Sequence, residues 1–116
     1  MKVLYHIDNA SKWKLTMENA KNMLDEGEKS GENFEIEILA NSIAVVNLKE
    51  QIAINTKLYM QMDELIKRNV KFAACKKALT KFTIQQEELC AFVQIVPSGV
   101  VEVANKENEG YCYIKA

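Results

Sequence analysis

The sequence is sparing with proline, glycine and cysteine, and each scarcity removes a class of protein. One proline, Pro97, and four glycines stand among 116 residues. No stretch has the composition of a linker or a low-complexity segment, and no internal repeat is evident. One domain over residues 1–116 is the simplest expectation. Cysteine occurs three times, at 75, 90 and 112. The count is odd and no C-x-x-C pair is present, which argues against a disulfide framework and against a thiolate zinc site. Neither sign of charge dominates: 15 basic residues face 16 acidic ones. Nucleic-acid binding, which draws on a basic excess, is not indicated. Long hydrophobic runs are absent too. The opening "MKVLYHIDNA" is too short in apolar residues for a signal peptide, and no segment reaches the length of a membrane span. A cytoplasmic protein with free thiols is the expectation. No glycine-rich phosphate loop or dinucleotide fingerprint is found, so no cofactor and no metal are expected.

What is present is an alternation of strand and helix patterns. "KVLYHID", residues 2–8, is a short apolar run suited to a buried strand. Asp8, Asn9 and Ser11 follow and offer helix caps. From Trp13 to about Lys29, apolar residues recur every three or four positions, as on one helical face, and Gly31 is a plausible stop. "FEIEILA", residues 34–40, alternates Phe34, Ile36 and Ile38 against Glu35 and Glu37. That pattern predicts a strand near a sheet edge, with its acidic side in water. Residues 41–48 read as a short helix opened by Asn41 or Ser42. A longer helix is expected from Ala53 to Arg68, then a buried strand over Val70–Ala74 and a helical turn or two over Lys76–Lys81. Thr83 and Gln86 have capping-box spacing. "AFVQIV", residues 91–96, predicts a strand that Pro97 ends. Ser98 then caps a helix bearing Val100, Val103 and Ala104. Gly110 breaks that helix before a last strand, "YCYIK".

Five strands separated by helical patterns predict an α/β fold: a three-layer α/β/α sandwich around a five-stranded, mainly parallel sheet. In such sheets ligands bind beyond the carboxyl ends of the strands, near a switch in strand order. His6, Asp8, Asn41, Cys75, Ser98 and Gly99 fall at those ends.

Cys75 carries the sharpest chemistry. It ends a strand and starts a helix, where free amides favour an anion, and Lys76 and Lys77 add positive charge. The alternative is a small hydrophobe finishing a core strand. His6 and Asp8 share a strand face, which suits a histidine oriented by a carboxylate or a plain polar strand end. A Cys75–His6 pair requires their strands to be neighbours. "PSGV" offers either backbone donors for an anion or a simple turn. Cys90 and Cys112 fall in packed elements and read as structural. Tyr111 and Tyr113 read as packing residues against helices or a subunit neighbour.

The stretches "VLYHID", "ENAKNML", "FEIEILANS", "VKFAACKKAL" and "VPSGVVEVANKENEGYCYIKA" together resemble the DsrE/DsrF-like family of the sulfur-relay superfamily, in its small single-domain branch. The resemblance implies the same three-layer fold and a homo-oligomer, whether dimer, trimer or hexamer. It implies that Cys75 accepts and carries sulfane sulfur between donor and acceptor proteins. It places His6 and Asn41 near that pocket; Ser98, Gly99 and Lys76 are binding candidates by their position at the strand ends and, for Lys76, its charge. The rival expectations are a non-catalytic module for a small ligand or anion, and an oligomeric adaptor.

Overall fold

Strand and helix alternate along the chain because short apolar runs are interleaved with stretches whose apolar period is roughly three and a half. The computed structural model describes residues 1–116. Its strands are β1 (Lys2–Ile7), β2 (Glu35–Ala40), β3 (Lys71–Cys75), β4 (Val93–Val96) and β5 (Tyr111–Lys115). Its α-helices are α1 (Trp13–Ser30), α2 (Glu50–Asn55), α3 (Tyr59–Lys67), α4 (Lys76–Lys81) and α5 (Gly99–Asn108). The strands form one sheet in the order β4-β3-β2-β1-β5, and all four pairings are parallel. The expected layered α/β fold is what the chain adopts.

The order dictates where the helices go. From β1 to β4 each strand is laid beside the last in one direction, and right-handed crossovers then put the intervening helices on one face. That face holds the main core, including Val3, Tyr5, Ile7, Trp13, Met17, Ile38 and Phe72. Trp13 stacks on Phe72 with ring centroids 6.2 Å apart and donates its indole N–H to the Ala44 carbonyl at 2.9 Å. The link from β4 to β5 travels back across the whole sheet. The same handedness therefore sends α5 to the opposite face, where it covers a small cluster of Leu4, Leu39 and Ala73 with Val96, Val103 and Tyr111 around it.

Several boundaries differ from the sequence expectation. The helix expected over 53–68 is two helices, broken between Asn55 and Tyr59. Lys57 takes a left-handed φ of 63° there, and the Thr56 hydroxyl donates back to the Ile52 carbonyl at 2.7 Å. Asn55 and Thr56 are weak helix formers, and such back-bonding competes with a continuous ladder. The capping box lies at Gln85 and Glu88, because Thr83 is taken into a turn with φ 55°. Residues 42–48 form a 3-10 segment, and β4 begins at Val93, two residues later than expected.

The largest correction concerns β2. It is the middle strand, not an edge, so one of its two strand glutamates has no water to face. Glu37 is only 2% exposed, and its Oε2 has no hydrogen-bond partner. Its Oε1 lies 3.7 Å from Lys106 Nζ on α5. Burial and the neighbouring Glu102 carboxyl push Glu37 up to about 8, against the weaker opposing pull of Lys106 and Lys71. A carboxyl raised in this way keeps in the folded chain a proton that the unfolded chain releases near 4.5. Stability therefore falls as pH rises from about 4.5 to about 8. Glu37→Gln, which keeps the shape and removes the titration, is expected to flatten that decline. It should raise the Tm at pH 9 by about 5 °C or more relative to the parent. Thermal melts across this pH range check it, and parallel curves for the two proteins would contradict it.

Candidate functional site

The crevice of a parallel sheet opens where the chains leaving two adjacent strands turn to opposite faces. Here that happens between β3, which feeds α4 on the main-core face, and β4, which feeds α5 on the other. Cys75 ends β3, and "PSG" follows β4. The two meet: the Gly99 backbone N–H donates to Cys75 Sγ at 3.3 Å. Gly99 is the first residue of a ten-residue helix, so its N–H is among those left without a helical acceptor. Such an amide is well placed to hold negative charge on sulfur.

The donor is not the one the sequence suggested. Cys75 is the residue before α4, but its side chain makes no capping bond to that helix. The strand alternation instead turns its sulfur towards α5. Lys76 and Lys77 are exposed and form no ion pair. Ser98 occupies the cap position of α5 with extended backbone, yet its hydroxyl makes no capping bond.

His6 ends β1, and β2 lies between it and β3. Two strand spacings, roughly 10 Å, therefore separate the chains that carry His6 and Cys75, and no direct Cys–His pair forms. Asp8 does not orient the imidazole either. Its carboxylate takes the Lys115 ammonium at 2.6 Å, and that hydrogen bond holds it below the usual carboxylate range. The partners of His6 are Tyr113, whose hydroxyl is 2.6 Å from Nδ1, and Asn41, whose Nδ2 is 2.8 Å from Nε2. Burial, and then Lys115, lower the His6 pKa from its ordinary 6.5, against a smaller upward pull from Asp8. The ring is thus kept neutral near pH 7.

Asn41 joins the two halves of the site. Sequence reasoning offered it as a helix cap, but it makes no capping bond to the segment it precedes. Its carboxamide instead reaches between His6 and Gly99. A Cβ added at Gly99 would collide with Asn41 Oδ1, Nδ2 and Cγ. Glycine is required there for close approach, since the backbone itself takes the space. A continuous series results: Tyr113, His6, Asn41, Gly99, Cys75. Tyr113 is the member that sequence reasoning missed. The period of two along β5 aligns it with Tyr111 and Lys115, but only the pairing of Leu4 with Tyr113 brings it to His6.

The other two thiols separate sharply. Cys90 is buried, and burial followed by Glu50 pushes it up to about 11, as befits an inert packing residue. Cys112, expected to be packed, is exposed on edge strand β5.

The DsrE/DsrF-like family model matches residues 1–116. The chain belongs to this family, which is associated with sulfur relay. Among solved structures it is similar to a protein of unknown function, MTH1491 from Methanobacterium thermoautotrophicum. Identity is 27% and the TM-score 0.86, with 99% of this chain and 98% of the other covered. No curated protein matches. No helix of this DsrE-like chain is long and apolar enough to cross a membrane.

Gly99→Ala tests the site's construction. The added methyl must displace Asn41, so the His6–Asn41 contact should be lost and the Gly99 amide moved off the sulfur. A destabilisation of about 1–3 kcal/mol is expected from overpacking, together with a changed His6 ring-nitrogen shift by NMR. An unaltered His6 signal would show that the carboxamide is not wedged as described.

Proposed function

We propose that this DsrE-like protein is a sulfur carrier that holds sulfane sulfur as a persulfide on Cys75. The observation that carries the reading is the amide N–H of Gly99 directed at Cys75 Sγ in the switch-point crevice, in a chain of the sulfur-relay superfamily's fold. The Cys75 thiolate attacks the outer sulfur of a donor persulfide. A new S–S bond forms at Cys75, the donor's S–S bond breaks, and the donor leaves as its thiolate. An acceptor thiolate then attacks the outer sulfur on Cys75, takes it, and regenerates the Cys75 thiolate. No net redox change occurs, and no cofactor is needed. The Gly99 amide steadies the anionic sulfur on both sides of the exchange. His6 acts at one remove, through Asn41.

Cys75 is 7% exposed, so the donor is a small persulfide or a narrow protein tail. Val100 and Val101, at 72% and 53% exposure, follow Gly99 directly. Exposed apolar residues beside the crevice support homo-oligomer assembly around it, with donor and acceptor proteins approaching the remaining opening. A reducing, cytoplasm-like compartment fits three free thiols. The second reading is a module that binds a small anion without chemistry. It is favoured by one observation, the absence of any side-chain base in contact with Cys75.

Incubation with a low-molecular-weight persulfide, followed by peptide mass spectrometry, is expected to show about 32 Da added at Cys75 as the carried sulfur. Transfer to a second thiol should then remove it. Label found only on the exposed Cys112, or loading unchanged in Cys75→Ser, would sink the carrier reading and leave the anion-binding one.

A further inference from the structure

The polar series from Tyr113 to Cys75 has one unmatched member. Asn41 Oδ1 is buried without a hydrogen-bond partner, although Nδ2 of the same carboxamide is satisfied by His6. The hydrogen-bond roles explain why. Nδ2 is a pure donor, so Nε2 of His6 must supply a lone pair. The ring proton then lies on Nδ1 and is donated to the Tyr113 hydroxyl. With His6 neutral and its proton on Nδ1, the carboxamide turns its carbonyl oxygen towards Gly99 and leaves it unpaired.

Protonation of His6 reverses those roles. Both ring nitrogens of an imidazolium are donors, and Nε2–H would confront Nδ2–H at 2.8 Å. A half-turn of the carboxamide relieves the clash. Oδ1 then accepts from Nε2–H, and Nδ2 takes its place beside Gly99. We propose that Asn41 is a proton-controlled carboxamide switch: neutral His6 holds an acceptor towards the Cys75 crevice, and charged His6 replaces it with a donor. The switch regulates the site read above as sulfur-carrying, and it rests on that reading for its purpose. The carboxamide atom beside Gly99, whose amide donates to Cys75 Sγ, is an acceptor in one state and a donor N–H in the other.

The charged surroundings of His6 are compatible with this. Lys115 on β5 and Asp8 beyond β1 are paired with each other. Tyr113 is the titratable group on the Nδ1 side. β2 sets Leu39 beside His6 and Glu37 beside Leu4, with Asn41 beyond its end, and the α5 residue Lys106 faces that Glu37 at 3.7 Å. No second carboxylate competes for Nε2.

The test uses the whole chain with Cys112→Ser, no sulfur donor, and iodoacetamide as the probe, read at the Cys75 peptide. An ordinary thiol loses alkylation rate tenfold per unit as pH falls, in step with its thiolate fraction. With the switch, the acid limb carries a shoulder where His6 titrates. The rate there should lie about tenfold above the extrapolated line, the scale of one added hydrogen bond to a charged group. Asn41→Leu, which offers no N–H, should restore the straight limb, and so should His6→Gln, which does not titrate. A shoulder kept in Asn41→Leu means that His6 acts through space, and overturns the proposal. A straight limb in the parent protein, or a shoulder kept in His6→Gln, also overturns it, and the latter decides the matter if Asn41→Leu fails to fold. The ¹⁵N shift of the Asn41 side chain should titrate together with His6. Because no sulfur donor is present, failure of persulfide loading leaves this result intact. A lost shoulder with loading preserved removes the switch alone.

Discussion

A parallel sheet laid down steadily in one direction keeps all its crossovers on one face, and the site exists because this chain does so only as far as β4. The return to β5 obliges α5 to cross the opposite face. Its first residue must start above the carboxyl end of β4, beside the end of β3. Handedness thus delivers an unpaired backbone amide to the sulfur of Cys75 without needing any charged side chain. The lysines after Cys75 are exposed, and the Ser98 hydroxyl makes no capping bond.

The same crossing creates the costliest feature of the fold. α5 spans the middle strand and shuts Glu37 away from water. Burying a carboxylate costs several kcal/mol, whereas burial of a leucine such as Leu4 or Leu39 returns roughly 2 kcal/mol. The apolar cluster under α5 is small, so an ionised Glu37 offsets much of what it supplies. A retained proton reduces that cost. Lys106 at 3.7 Å is too distant for a good ionic hydrogen bond and does not reverse the balance. The helix that carries the Gly99 amide thus covers a smaller apolar cluster than the layer on the other face.

The fold was largely legible because each buried strand is a short apolar run and each helix is punctuated. "VKFAAC" and "VPSG" marked two strand ends whose meeting follows from topology. Glu37 was misread because alternation of apolar and acidic residues looks alike at a wet edge and beneath a single covering helix. Nothing local in "FEIEILA" distinguishes the two. The role of Asn41 was hidden for a related reason. A polar residue after a strand and before a helical turn matches a cap, and only coordinates show that its carboxamide prefers an imidazole. Tyr113 and His6 are 107 residues apart, and their contact depends on β5 pairing with β1, which no spacing encodes.

The placement of β5 ties the end of the chain to the site. β5 pairs with β1 alone, so without its residues β1 would be a bare margin of the sheet and His6 would lack its phenol. The Gly99 amide that meets Cys75 begins the crossover leading to β5. Loss of the last strand would therefore reach both ends of the polar series, the imidazole directly and the thiol through the helix that precedes it.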